Sequence, residues 1–150
     1  MLRSRREGQG GTTRRRSTIS RLAAFLWISL GAVLGANTRY LVNRVMAQWL
    51  GTAFPYGTFV VNVFGCLAIG VIATMITGRL IDRPEVIRLV LIVGFLGSLT
   101  TFSSFAYETH TLFQDGAWVR ALANIVLSVF GGLVGVRLGM LLTPGLGAFL

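Results

Sequence analysis

The sequence has no lysine, one cysteine, one histidine and only five acidic side chains in 150 residues. Each scarcity excludes something. Cys66 alone cannot form an internal disulfide or a cysteine-based metal centre, and His110 alone rules out the ordinary zinc constellations. There is no nucleotide-binding motif and no catalytic set of acid, base and nucleophile. Charged residues make up 13% of the chain, against 53% hydrophobic residues and a mean hydropathy of +0.71. A soluble core this small would leave too much apolar surface facing water, and lipid removes that problem. The chain therefore reads as one small all-α integral membrane protein.

Every basic residue is an arginine, giving a net charge of +9. Half of them precede the first apolar stretch: Arg3, Arg5, Arg6, Arg14, Arg15, Arg16 and Arg21, mixed with Gly, Ser and Thr. Such a segment cannot bury enough apolar area to order itself, so residues 1–21 are expected to be a disordered tail and residues 22–150 the membrane domain. No aromatic stacking residue accompanies these arginines. The tail reads as a cytoplasmic flank or a contact to anionic lipid, not as a nucleic-acid arm. Nor is it read as a secretory signal, since the next apolar stretch continues into a packing motif without a clear cleavage site.

Crossing a hydrocarbon core about 30 Å thick takes about 20 helical residues, and four stretches are long enough. They lie near 22–50, 57–78, 86–113 and 117–142, separated by FPYG, RLIDRPE and QDG. Trp49, Tyr56 and Trp118 fall at predicted ends, where amphipathic rings favour the interface. Gly31 with Gly35, and Gly131, Gly135 and Gly139, form small-residue ridges that let helix backbones approach closely. Outside the tail the arginines are nearly balanced: Arg79, Arg83, Arg88 and Arg137 on one side, Arg39, Arg44 and Arg120 on the other. The membrane domain thus carries a weak orientation preference, to which the tail adds a push toward N-in. Four short helices do not readily enclose a hydrophilic path alone, so an oligomer is expected.

Polar residues inside the spans mark the places to look for function. On the second helix Thr58, Asn62, Gly65 and Cys66 share a face; on the fourth Asn124, Ser128, Gly132 and Gly135 do, where helix packing is the favoured reading. The third span holds GFLGSLTTFSSFAYE at 94–108, with two glycines, five Ser or Thr hydroxyls and three phenylalanines. Ser98, Thr101, Ser104 and Glu108 approximate one stripe, with Phe102 and Phe105 on an adjoining one. Gly and competing hydroxyls weaken the helix across GFLGSLTT, and a break there frees carbonyls that can coordinate a cation. Ring edges and hydroxyls can line an anion path. Glu108 is expected to be solvated or paired with an arginine, or to serve as a proton or cation site.

These motifs, in this order, resemble the Fluc/CrcB fluoride channels: GAVLGANTRY at 31–40, FPYGTFVVNVFG at 54–65, GFLGSLTTFSSFAYE at 94–108, and NIVLS with the following glycines at 124–135. The resemblance covers about residues 25–142. It implies an antiparallel, dual-topology homodimer in the cell (inner or plasma) membrane, with a broken third helix, two pores along the interface and passive export of fluoride. It implies a structural sodium ion held by backbone carbonyls of Gly97 and Thr100 from both subunits. Phe102 and Phe105 match the paired phenylalanines of the fluoride paths, Ser103 and Ser104 the hydroxyl track beside them, and Asn62 the pore asparagine. Arg39 matches the first-helix arginine, near an aqueous vestibule where it attracts anions. Ser104 stands where the family usually has threonine, keeping the hydroxyl. The tail is longer than usual; if it fixes orientation, the partner is a paired homologous subunit of opposite orientation. The main rival, a small multidrug-type proton-coupled exchanger, needs a carboxylate in its first helix, and residues 22–38 contain none.

Overall fold

The computed structural model describes residues 19–143. Residues 1–18 of the expected tail, and 144–150, lie outside the described residues. Helix α1 (Arg21–Leu50) begins at Ser20, whose hydroxyl accepts the Ala23 N–H at 3.2 Å, a side-chain cap for one of the orphan donors of a helix start. Helix α2 (Tyr56–Thr77) follows a short loop. The third span begins with α3 (Pro84–Ile87), where proline at the first position needs no N–H partner. It continues as a π-helical stretch, Arg88–Leu96, and a single turn, α4 (Gly97–Leu99). After a break it resumes as α5 (Phe102–Gln114), and α6 (Trp118–Leu142) completes the chain. By length and composition, four helical units can cross a membrane: Arg21–Leu50, Tyr56–Thr77, Pro84–Gln114 and Trp118–Leu142. The four expected spans are therefore present, each within a few residues of its predicted ends.

Backbone proximity assembles the bundle into two tight pairs, α2 with α6 and α1 with the π-helical stretch. Lipid is as apolar as leucine, so helices gain little by hiding leucines from it; close packing of small residues does the work instead. A Cβ added at Gly31 would run into the Val90 carbonyl, and one at Gly94 would lie 3.0 Å from the Gly31 Cα. On the other pair, a Cβ at Gly139 would strike the Leu67 carbonyl and sit 3.1 Å from the Gly70 Cα. Gly131, on the same predicted ridge, meets only the side chains of Val63 and Phe59. The ridge thus meets backbone at Gly135 and Gly139 but only side-chain atoms, which can shift, at Gly131. The outward faces of α1 and α6 carry Leu, Val and Phe side chains that remain exposed in the isolated chain.

A buried polar chain ties α5 to α6. Asn124, 1% exposed, donates to the Thr109 hydroxyl at 2.8 Å, and that hydroxyl donates to the Phe105 carbonyl at 2.6 Å. Ser128 donates to the other end of the Asn124 amide at 3.3 Å. The packing role expected of the polar face of α6 is the one observed, and its far end is the backbone of Phe105.

Gly139→Leu should force the α2–α6 backbones apart and cost about 1–3 kcal/mol or more by overpacking, whereas Gly131→Ala should be nearly neutral; thermal unfolding of the detergent-solubilised variants measures the difference. Asn124→Ala removes the donor to Thr109 and the acceptor for Ser128, an expected loss of about 1–3 kcal/mol for buried groups left unpaired. The same melting experiment checks it, and an unchanged midpoint would show that the chain carries no stability.

Candidate functional site at the break in the third span

The break falls at Thr100 and Thr101, whose backbones are extended (ψ 155° at Thr100; φ −153°, ψ 118° at Thr101). Local chemistry explains it. Thr100 folds both its N–H and its hydroxyl back onto the Leu96 carbonyl, at 3.0 and 2.9 Å, closing the incoming helix. Thr101 caps the outgoing one, its hydroxyl accepting the Ser104 N–H at 3.2 Å. Two threonines in succession thus end one helix and start the next.

Such a junction at membrane depth leaves backbone groups that lipid cannot satisfy. Asn62 of α2 supplies the missing partners. Its Oδ1 accepts the Thr101 N–H at 2.8 Å and its Nδ2 donates to the Thr101 carbonyl at 3.1 Å. The amide orientation follows from the chemistry, since a backbone N–H can only be met by the carbonyl end. In an unbroken helix the Thr101 N–H would bond the Gly97 carbonyl four residues back. Asn62 takes that proton, and no other hydrogen bond to the Gly97 oxygen occurs among the described residues. Gly65, one turn along α2, leaves space that a Cβ would take from the Thr100 methyl.

The expected site residues divide into those brought together and those set apart. Asn62, Gly97, Thr100 and Phe102 line one cavity of about 330 Å³, with Cys66 on its wall. Phe102 is 80% exposed in the single chain, and its ring centroid lies 5.7 Å from that of the half-buried Phe105. Ser103 and Ser104 each place a hydroxyl 3.2 Å from that of Thr101. Arg39 is half-buried on α1 and lines neither this cavity nor a second one at the α1–α2 end of the bundle.

One sequence expectation is corrected, and a second loses one of its alternatives. Ser98, Thr101, Ser104 and Glu108 do not form one stripe, because the extended residues rotate α5 away from α4. The Ser98 hydroxyl lies 2.9 Å from the Ala32 carbonyl of α1 and 2.8 Å from the Gly94 carbonyl, while Thr101 and Ser104 bond each other. Glu108 forms no pair with an arginine among the described residues; its Oε1 accepts the Thr58 hydroxyl of α2 at 2.8 Å. Asn43 and Thr109 went unnoticed in the sequence. Thr109 carried a signal, lying four residues beyond Phe105 on one helix face, whereas Asn43 was one polar residue among several in α1.

The donor set at the break suits a hard monovalent cation. Its candidates are backbone carbonyls, that of Gly97 released as the Thr101 N–H is drawn to Asn62; the Cys66 thiol on the same wall is a soft donor that such an ion passes over in favour of oxygen. The exposed polar and aromatic surface beside it offers N–H, O–H and ring-edge donors.

Comparison with known proteins agrees with this architecture. The family described as CrcB-like protein, Camphor Resistance (CrcB), matches residues 26–140. The chain is 49% identical over 115 residues to the fluoride-specific ion channel FluC of Chloroflexus aurantiacus, covering 77% of this chain and 90% of that one. It is 47% identical over 113 residues to FluC of Roseiflexus sp. (75% and 90% covered) and 46% over 118 residues to FluC of Solibacter usitatus (79% and 96%). None of these relatives is an enzyme by name, and the four spans are those of a multi-pass membrane protein. With a family match across almost all of its described residues, this chain belongs to the CrcB family, that of the FluC fluoride-specific ion channels.

Proposed function

We propose that this chain is a fluoride-selective passive channel, built from two copies in antiparallel orientation with a pore on each side of their interface. The observation that carries this reading is the Asn62–Thr101 junction. It holds the third span open at one point, frees the Gly97 carbonyl and starts α5 so that Phe102 and Ser103 face outward. An aromatic ring 80% exposed beside hydroxyls, in the middle of a membrane span, is completed by a second protein surface more readily than by lipid.

Fluoride is small and strongly hydrated, so its path must replace water with compact donors. The hydroxyls of Ser103 and Ser104, the ring edges of Phe102 and Phe105, and the one Asn62 amide proton not used at the junction are such donors. A path narrow enough for these groups to reach the ion excludes chloride by size. Arg39 attracts anions toward the mouth. The Gly97 and Thr100 carbonyls of both copies would hold sodium, which supplies a fixed positive charge that offsets part of the anion's desolvation cost. Transport needs no energy source. The near-balanced arginines outside the tail support insertion in both orientations.

Fluoride efflux from liposomes reconstituted with the purified chain tests the reading. The wild type should release fluoride, Phe102→Ile and Asn62→Ala should lose about tenfold or more of the rate, and chloride should not pass. The tenfold figure corresponds to about 1.4 kcal/mol, one lost hydrogen bond or ring contact. Equal passage of chloride would overturn selectivity. A silent wild type, also silent beside a homologous subunit of opposite orientation, would overturn the channel.

A further inference from the structure

The two ends of the bundle differ sharply in charge. The starts of α1 and of the third span lie at one of them, with the ends of α2 and α6. Eleven of the fourteen arginines belong to that end: Arg21, Arg79, Arg83, Arg88 and Arg137, and the six of residues 1–18, which precede α1 at its start. Only Glu7, Asp82 and Glu85 oppose them, leaving a formal charge of +8. The other end has Arg39, Arg44 and Arg120 against Glu108 and Asp115, a formal +1. Engagement differs as well. Arg44 donates to the Tyr40 hydroxyl at 3.4 Å, Arg120 donates to the Ala53 carbonyl at 2.8 Å, and Arg39 is half-buried. By contrast Arg21, Arg79, Arg83, Arg88 and Arg137 are all exposed, and none of their guanidinium groups bonds a carboxylate or a carbonyl among the described residues.

Depth decides what these groups meet. Arg88 lies about 6 Å along the third span from its start, and Arg137 about 7–8 Å before the end of α6, at about 1.5 Å per helical residue. Arginines so placed lay their stems along the lipid chains and lift their heads to the headgroup layer. A soluble polyanion meets the exposed loop between α2 and α3 but not groups at that depth, whereas a lipid phosphate stands level with them. We propose that this end is a binding surface for anionic phospholipid headgroups, with Arg79, Arg83, Arg88 and Arg137 as its folded part and residues 1–18 adding further arginines. Guanidinium suits the role, because its planar fork takes two phosphate oxygens at once, and every basic residue of the chain carries one. The anchors at the opposite end are rings, those of Trp49, Tyr56 and Trp118. One end thus depends on the headgroup charge of its leaflet and the other does not. The proposal rests neither on the fluoride reading nor on a second copy.

Tryptophan fluorescence tests it end by end. Trp27, 40% exposed in the second turn of α1, reports on the basic end, and Trp49 and Trp118 report on the other. The full chain is reconstituted in phosphatidylcholine vesicles, either with Trp49→Phe and Trp118→Phe or with Trp27→Phe. A minor fraction of brominated phosphatidylglycerol or brominated phosphatidylcholine then quenches the rings it touches. At the basic end the anionic lipid should bind about fivefold more tightly than the zwitterionic one, while at the other end the two should quench alike. Arg79→Gln, Arg83→Gln, Arg88→Gln and Arg137→Gln, combined, should lower that preference to about twofold or less, the part due to the remaining arginines. Soluble pyrophosphate at matched ionic strength should leave it unchanged. No preference for the anionic lipid at Trp27, the same preference at both ends, or one undiminished in the combined variant overturns the surface. Displacement by pyrophosphate makes it a site for free phosphate and overturns the lipid assignment. If the combined variant does not reconstitute, salt decides: a preference at Trp27 that is unchanged between about 0.1 and about 1 M NaCl overturns the surface, since screening should abolish most of it.

Discussion

The two hydrogen bonds between Asn62 and the backbone of Thr101 are the constraint on which the rest of the structure turns. A helix interrupted at membrane depth has to settle an N–H and a C=O that would otherwise bond along the chain, and no water is at hand to do it. One side-chain amide, with a donor and an acceptor side by side, is the smallest group that settles both. Once it does, α5 can start anew after α4, Gly97 keeps a free carbonyl, and the Phe102 ring is carried to the outer surface with Phe105 half-buried beside it. Gly65 belongs to the same device, since the break approaches α2 closely enough to exclude a Cβ at that position.

The outgoing helix is fixed from a second direction. The chain from Ser128 through Asn124 and Thr109 reaches the Phe105 carbonyl, so α6 restrains the backbone that bears one ring while α2 restrains the start of the same helix. Tight glycine contacts elsewhere leave the helices little freedom to slide: α1 is seated on the π-helical stretch through Gly31, Gly35 and Gly94, and α2 on α6 through Gly70 and Gly139. A rigid frame suits a small ion, because a donor displaced by even a few tenths of an ångström holds a bare anion less well than water does.

Much of this was legible in the sequence. The spans follow from hydropathy, which depends on composition and tolerates no alternative in lipid. The break follows from glycines and hydroxyls crowded at 94–104, and Asn62 stands out as an amide in an apolar helix. What escaped was direction. Helical periodicity assigned Ser98, Thr101, Ser104 and Glu108 to a common stripe, but two extended residues reset the rotation, and Ser98 turned to α1 while Glu108 turned to α2. Asn43 went unread for a related reason: its importance lies in the residue it sits across from, and Gly57 receives it only through a contact between helices. Gly131 was placed with Gly135 and Gly139 by spacing alone, which cannot tell a backbone neighbour from the end of a side chain.

Trp49, Tyr56 and Trp118 all sit where α1 ends and where α2 and α6 begin, at one end of the bundle. These three rings fasten one end of a lone chain in one leaflet, while toward the other end Trp27 lies in the second turn of α1. In the antiparallel pair proposed here, the second copy sets its own rings in the opposite leaflet. The pair is then fastened like a rivet with a head on each face of the membrane, and its depth is registered from both sides at once, independent of which copy entered first.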